Sequence, residues 1–272
     1  MDGVFCDFER GVQELQQSLG VPLPYSSPTL DQQRKLWETI FENKPEFFAE
    51  LKPMAGARML WQAVKAYLAR SGQIVPIFLT GCPKGKYRPL AEKGKRQWVA
   101  NNILFTSDID KVLVLSVDPD AGLRDHAEYL EALEKLLAVV DSDEAIVIFC
   151  RPEQKQYFSY PLKDGKTPLL LDDREKAGPR WEASGQAKFL FHESEPPLIE
   201  GEGHYTPGRT NKHFLEKSVR DMISVEAVKK TIATLQAVQG GGGSKKTHRV
   251  RRSKKNTRRN RSVYARNQRS GK

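Results

Sequence analysis

The segment Leu169-Leu170-Leu171-Asp172-Asp173-Arg174 constrains the fold more than any other stretch of the chain. Three apolar residues that can cross the interior of a sheet end in two adjacent carboxylates and an arginine. In an open α/β sheet, chemistry collects at the carboxyl ends of the strands. Two neighbouring acids there call for a compensating charge, and a hard, oxygen-seeking cation such as Mg2+ is the usual one. A strand-end turn with solvated acids has the same composition, so the choice rests on the remainder of the chain.

A second strand-to-loop junction lies upstream. Ile74-Val75-Pro76-Ile77-Phe78-Leu79 leads into Thr80-Gly81-Cys82-Pro83-Lys84-Gly85-Lys86. A threonine hydroxyl and free glycine amides at a strand end can hold phosphate oxygens, and the lysines add positive charge. Lys95-Arg96-Gln97-Trp98-Val99 falls in a predicted helix, and Ile146-Val147-Ile148-Phe149-Cys150 reads as a further buried strand. Between them, Val112-Leu113-Val114-Leu115 predicts a strand. Tyr129 to Val140, with Leu130, Leu133, Leu136 and Leu137 at helical spacing, predicts a helix. The 106–145 stretch therefore reads as an added β-α unit. Asp118 and Asp120 read as a turn leading into its helix.

The first seventy residues are helical in pattern. Val12, Leu15 and Leu19 recur at helical spacing from Phe8 onward, and Thr29 or Asp31 caps a helix through Leu36, Trp37, Ile40 and Phe41. Pro45 to Leu51 and Ala55 to Ala69 are predicted as two more helices, joined at Pro53, with Trp37, Phe47, Phe48 and Trp61 as core. Val225 to Val238 predicts a closing helix with Val228, Ile232 and Leu235 on one face. Glu193 to Lys212 is rich in Pro, Gly and charge and reads as loop. His192, His204 and His213 lack ligand spacing and read as structural or surface residues.

Charge is sharply partitioned. Residues 245–272 contain thirteen Lys/Arg and no acid, so the preceding body holds 31 basic against 34 acidic residues. The basic character of the chain therefore belongs to its tail. Gly240-Gly241-Gly242-Gly243-Ser244 is a flexible linker (240–244), and the tail is too charged and too poor in apolar residues to fold alone. Arg251, Arg252, Lys254, Lys255, Arg258, Arg259 and Arg261 form runs suited to nucleic acid or nuclear targeting, although a solvated tail has the same composition. Cys6, Cys82 and Cys150 are too widely spaced for a disulfide framework or zinc site and point to a reducing, intracellular setting, cytoplasmic or nuclear. No apolar run is long enough to span a membrane, so no membrane partner is expected.

Taken in order, Met1-Asp2-Gly3-Val4, the strand ending in Thr80, Lys95-x-x-Trp98-Val99, and the strand ending in Asp172-Asp173-Arg174 resemble the haloacid dehalogenase (HAD) superfamily of phosphatases, in particular its 5'-nucleotidase-like members. Trp181-Glu182-Ala183, Gly185 and Phe191-His192 extend the resemblance, which covers roughly residues 1–192. It implies a three-layer, Rossmann-like α/β core with a mainly parallel sheet, built from residues 1–7 and 71–239, and an inserted helical cap at 8–70. It also implies a Mg2+-dependent phosphomonoester hydrolase acting on a phosphorylated small molecule such as a nucleotide. The metal would take a backbone oxygen of Asp2 and the carboxylate of Asp172, with Asp173 in support. Asp2 would be the general acid/base, Thr80 and the Gly81 amide would bind phosphate, and Lys95, with Lys155 as the alternative, would balance its charge.

One departure matters most. In the resembled pattern a nucleophilic aspartate stands two residues before the acid/base, together with the apolar strand that carries it. Here that position precedes Met1, so the chain as given is expected to lack phospho-enzyme chemistry. Two alternatives stay open: a non-catalytic HAD-like protein that binds nucleic acid through its tail, and a phosphatase acting on nucleic-acid ends.

Overall fold

The computed structural model describes residues 1–2, 4–21, 23, 29–71, 76–122, 125–160, 168–174, 177–183, 187–193 and 217–240. The chain is a mixed α/β protein with small parallel sheets. Helices α1 (Phe8–Leu19), α2 (Leu30–Asn43) and α3 (Ala57–Ser71) precede strand β1 (Ile77–Thr80). There follow α4 (Arg88–Val99), β2 (Val112–Ser116), α5 (His126–Leu137), β3 (Ala145–Phe149), β4 (Leu169–Asp172), α6 (Gly178–Glu182), β5 (Lys188–Phe191) and α7 (Lys217–Gly240).

β1 and β2 flank β3 in one parallel sheet, with Thr80 opposite Phe149 and Ser116 opposite the same residue. β4 and β5 form a second parallel pair, with Asp172 opposite Phe191. All five residues of β3 are buried, as a strand covered on both faces requires. Its alternation divides them. Ala145, Val147 and Phe149 join Phe78 and Val112 in a core shared with α1, α2, α3 and α4, whereas Ile146 and Ile148 join Leu79 in a core shared with α5, β4 and α6. Helices thus pack on both faces of the sheet.

The helix boundaries follow local chemistry. The Asp7 carboxylate caps α1 by accepting from the Arg10 amide, and Gly20 ends it with φ 66°, a left-handed turn that costs glycine little. Thr29 caps α2 in a reciprocal box with Gln32, as the sequence predicts. Gly56, at φ 81°, lets α7 come close, since a side chain there would meet Val228 at 3.2 Å. The Ser224 hydroxyl donates to the Ala55 carbonyl at 2.8 Å beside it.

One predicted helix is absent. Residues 45–50 form successive turns, although Phe47 and Phe48 are buried as expected. Pro53 stops any continuation of a helix through this stretch. Its aromatics pack around Phe8, and Trp98, wholly buried on α4, donates its indole N–H to the Leu51 carbonyl at 2.7 Å.

That bond locks the turn segment onto α4. Trp98→Ala, which removes both the ring and the hydrogen bond, is expected to cost about 3–5 kcal/mol, measured as a lower denaturant midpoint at unchanged slope. Trp98→Phe should recover most of the packing and leave the loss of one buried bond, about 1–3 kcal/mol.

Candidate active site at the strand ends

A single buried ammonium draws four of the sequence candidates together. Lys95 projects from α4 and is 1% exposed. Its Nζ donates to Asp2 Oδ2 at 2.6 Å, to Thr80 Oγ1 at 2.8 Å and to the Gly81 carbonyl at 2.8 Å. Those three acceptors match the three protons of an ammonium, so a charge this deep is fully satisfied. The Phe48 ring lies 4.5 Å from the same nitrogen and ties the cluster to the N-terminal helices. Thr80 passes its own proton toward Asp2 Oδ2 at 3.4 Å, and the Cys6 thiol donates to Asp2 Oδ1 at 3.2 Å.

Burial pushes the Asp2 carboxyl up, but the Lys95 ammonium and the Met1 amine outweigh it and hold the group at about 2. Burial pulls Lys95 down, and Asp2 more than compensates, leaving it above its usual value. The pair is therefore ionised across the neutral range. Burial raises the Cys6 thiol well above its ordinary value and pushes Cys82 and Cys150 up to about 12, so none of the three is a thiolate nucleophile.

A second charge cluster stands at the end of β4. Lys155, on the short 3-10 helix Pro152–Phe158, pairs with Asp172 Oδ2. The Arg174 amide and its Nε donate to Asp172 Oδ1 at 3.0 and 3.3 Å. Burial raises Asp172, yet Lys155 and Arg174 bring it below the usual carboxylate range. Asp173 has the opposite fate: burial and the adjacent Asp172 charge raise it. The Met1 amine connects the clusters. Burial lowers its pKa, Asp2 and Asp173 oppose that shift, and Lys155 adds to it.

The structure therefore gives each candidate lysine its own carboxylate, Lys95 with Asp2 and Lys155 with Asp172. Gly81 contributes its carbonyl to Lys95. Among the described residues, no group of three or more His, Cys, Asp or Glu side chains could hold a metal ion. Asp172 has both carboxylate oxygens on cations, and Asp2 has one on Lys95 and the other on the Cys6 thiol, so the donor set for Mg2+ is incomplete. Asp118 caps its own turn, accepting from the Asp120 amide at 2.8 Å. Arg251, Arg252, Lys254, Lys255, Arg258, Arg259 and Arg261 lie outside the described residues, as do His204 and His213. No described helix is long and apolar enough to cross a membrane.

Cys6, which the sequence places as a reduced core or near-site residue, donates to Asp2; Arg174, marked in the sequence only as the residue after two acids, binds Asp172; His192 is structural, as the sequence reads it. His192 is wholly buried: its backbone N–H donates to the Asp172 carbonyl at 2.8 Å, and its Nδ1 lies 2.9 Å from Thr231 Oγ1 on α7. It thereby anchors the end of β4 to the closing helix.

No protein-family model matches the chain, and neither does any curated protein or solved structure.

Burial lowers the His192 pKa to about 4. The unfolded chain then takes up this proton below about 6.5 while the folded one does not, so stability is complete above that value and falls as the pH drops toward 4. The expected loss is roughly 3 kcal/mol across the window. Thermal melts between pH 7 and 4 check it: His192→Gln should flatten the slope, and an equal slope in the variant would refute the assignment.

Proposed function

We propose that the strand-end cluster handles a phosphoryl group, and that the chain is a HAD-like phosphomonoester hydrolase with a Rossmann-like core, in which the resemblance would put the nucleophilic carboxylate directly before Met1. The observation that carries this reading is the gathering of Thr80 and Lys95 beside Asp2 and of Lys155 and Arg174 beside Asp172. Lys95, Lys155 and Arg174 place three cationic groups at these strand ends, where they can attract an incoming anion.

The chemistry would run as displacement at phosphorus. A carboxylate oxygen bonds to phosphorus as the ester P–O bond breaks, and the electron pair leaves with the alkoxide, which takes a proton from Asp2. Water then attacks the acyl-phosphate, returning a proton to Asp2 and releasing inorganic phosphate. Asp2 is held ionised by Lys95; a phosphate oxygen that competes for the ammonium would raise the Asp2 pKa, so that Asp2 takes up a proton from solvent as substrate binds and gives it to the alkoxide. Lys95, Lys155 and Arg174 would offset charge on the transferring group. Because the donor set is incomplete, Mg2+ binding is assigned only to a chain that has the additional carboxylate, with Asp172 and Asp173 as its other side-chain ligands. The substrate class is a phosphorylated small molecule such as a nucleotide.

A non-catalytic reading has one observation in its favour: Asp2 and Asp172 are each already neutralised by cations. On that reading the body binds an anion and the basic tail binds nucleic acid. A nucleic-acid-end phosphatase would combine the two.

Turnover of an aryl phosphate with Mg2+ separates these readings. The chain as given should be inactive, and a version carrying an apolar strand ending in Asp before Met1 should be active. In that version Asp172→Asn should lower kcat/KM by about 10²–10⁴, and Asp173→Asn should lower it less. Equal turnover with and without the added carboxylate, or full activity in Asp172→Asn, contradicts the proposal.

The tail is tested by removing residues 241–272. Nucleic-acid binding that is sequence-tolerant and falls steeply with salt should be lost, because thirteen basic residues without an acid lie in 245–272. Retention of the same salt slope after truncation would place the binding surface on the body.

A further inference from the structure

A small pocket of about 30 Å³ stands beside the second charge cluster. The Pro152–Phe158 turn supplies Lys155 and Gln156 to its wall, β4 supplies Leu170, and the chain around α6 supplies Arg174, Arg180 and Trp181. Three of these six residues are cationic, and no Asp or Glu lines the pocket. Neither Asp2, Thr80, Lys95 nor Asp172 is part of its wall, so it is separate from the strand-end site while sharing Lys155 and Arg174 with it.

Its electrostatics are unbalanced. Lys155 and Arg174 set two positive charges against the single carboxylate of Asp172, and the exposed Arg180 adds a third. The acids beside these residues in sequence are engaged elsewhere. Glu153 pairs with Arg151 at 2.6 Å, and Glu182 accepts from the Phe189 amide at 3.3 Å. Arg174 gives its backbone amide and its Nε to Asp172, so its two terminal nitrogens remain as donors. The Ala177 amide donates to the Arg174 carbonyl at 2.9 Å, a turn that holds this arginine next to α6. Trp181 is 3% exposed, and among the described residues its Nε1 has no hydrogen-bond partner. A buried indole N–H without an acceptor is costly. The cationic side chains around it are donors only, and an acceptor that serves them and the indole together is an anion.

We propose that this pocket binds a small tetrahedral oxyanion of the phosphate or sulfate class, with Arg180 and the Trp181 indole as its defining donors and Arg174 as a shared one. A guanidinium presents paired N–H groups that match two oxygens of such an ion, and the indole N–H serves a third. The volume admits one group of this size and excludes a whole nucleotide. Bound there, the ion offsets the surplus positive charge beside Asp172 without contacting Thr80 or Lys95. The site holds whether or not the strand ends are catalytic.

The test uses the full chain, isotope-labelled at its tryptophan indoles and titrated with inorganic phosphate or sulfate at fixed ionic strength. The Trp181 indole N–H signal is identified by its loss in Trp181→Phe. It should move to saturation with either ion, and chloride at the same ionic strength should move it far less. Arg180→Gln, at an exposed position, should melt at an unchanged temperature without phosphate and raise the titration midpoint by roughly tenfold or more. Arg180→Lys, which keeps the charge and loses the paired N–H groups, should fall between. Thr80→Val should leave the midpoint of the Trp181 signal where it was. An indole signal that does not move, or that moves equally with chloride, overturns the proposal and leaves the pocket to water. An unchanged midpoint in both Arg180 variants overturns it as well. So does a Thr80→Val shift as large as that of Arg180→Gln, since the indole would then be reporting on phosphate at the strand ends.

Discussion

The arrangement at the strand ends depends on pairing carboxylates with cations at the margin of the core. Lys95 is almost fully enclosed and tolerates that position because Asp2, Thr80 and Gly81 take its three protons. Lys155 and Arg174 serve Asp172 in the same way. Removing one partner of a buried pair leaves the other charge stranded, at about 3–5 kcal/mol. That penalty makes each pair a positional constraint. The first holds α4 against the end of β1 and the first residues of the chain, and the second holds the Pro152–Phe158 turn against the end of β4.

Packing supplies the platform for those pairs. The alternation of β3 sends its side chains into two apolar cores, one with α1 to α4 and one with α5, β4 and α6. The sheet is thereby held from both sides, and its strand ends stay in place while the polar groups converge on them. The contact of the Lys95 ammonium with Phe48 joins the site to the aromatic cluster of the N-terminal helices, so the 8–70 segment borders the chemistry as well as the core. His192 and Thr231 extend the support to α7. The same packing leaves an apolar cavity of about 330 Å³ lined by residues 76–79 and 168–171, with Met1 in its wall.

Much of the local structure was legible in the residues. The runs at 77–79, 146–149 and 169–171 are strands, Val112–Leu115 lies in another, and the helix predicted from Phe8 spans Phe8–Leu19. Thr29 was readable as a cap because its side chain acts within one turn of its own backbone. The 45–51 stretch misled because two buried phenylalanines resemble a helix face, while their burial comes from packing against Phe8 and α4 in a run of turns. The closing helix is longer than its apolar stripe, running Lys217–Gly240, since polar turns add backbone hydrogen bonds without adding apolar periodicity.

The sequence by itself determined which residues have the chemistry for a strand-end site: acids directly after apolar runs, a threonine and glycine after another, and lysines on intervening segments. It did so because strand and helix periodicities are local properties of the chain. Which lysine serves which acid was decided only by the tertiary structure. Lys95 is 93 positions from Asp2 and Lys155 is 17 from Asp172, and no local pattern encodes such pairings. The same holds for the burial of His192 against Thr231, the low pKa of Asp2 and the raised one of Asp173. Each follows from solvent exclusion and charge at distances of a few ångströms, which exist only once the two cores have packed.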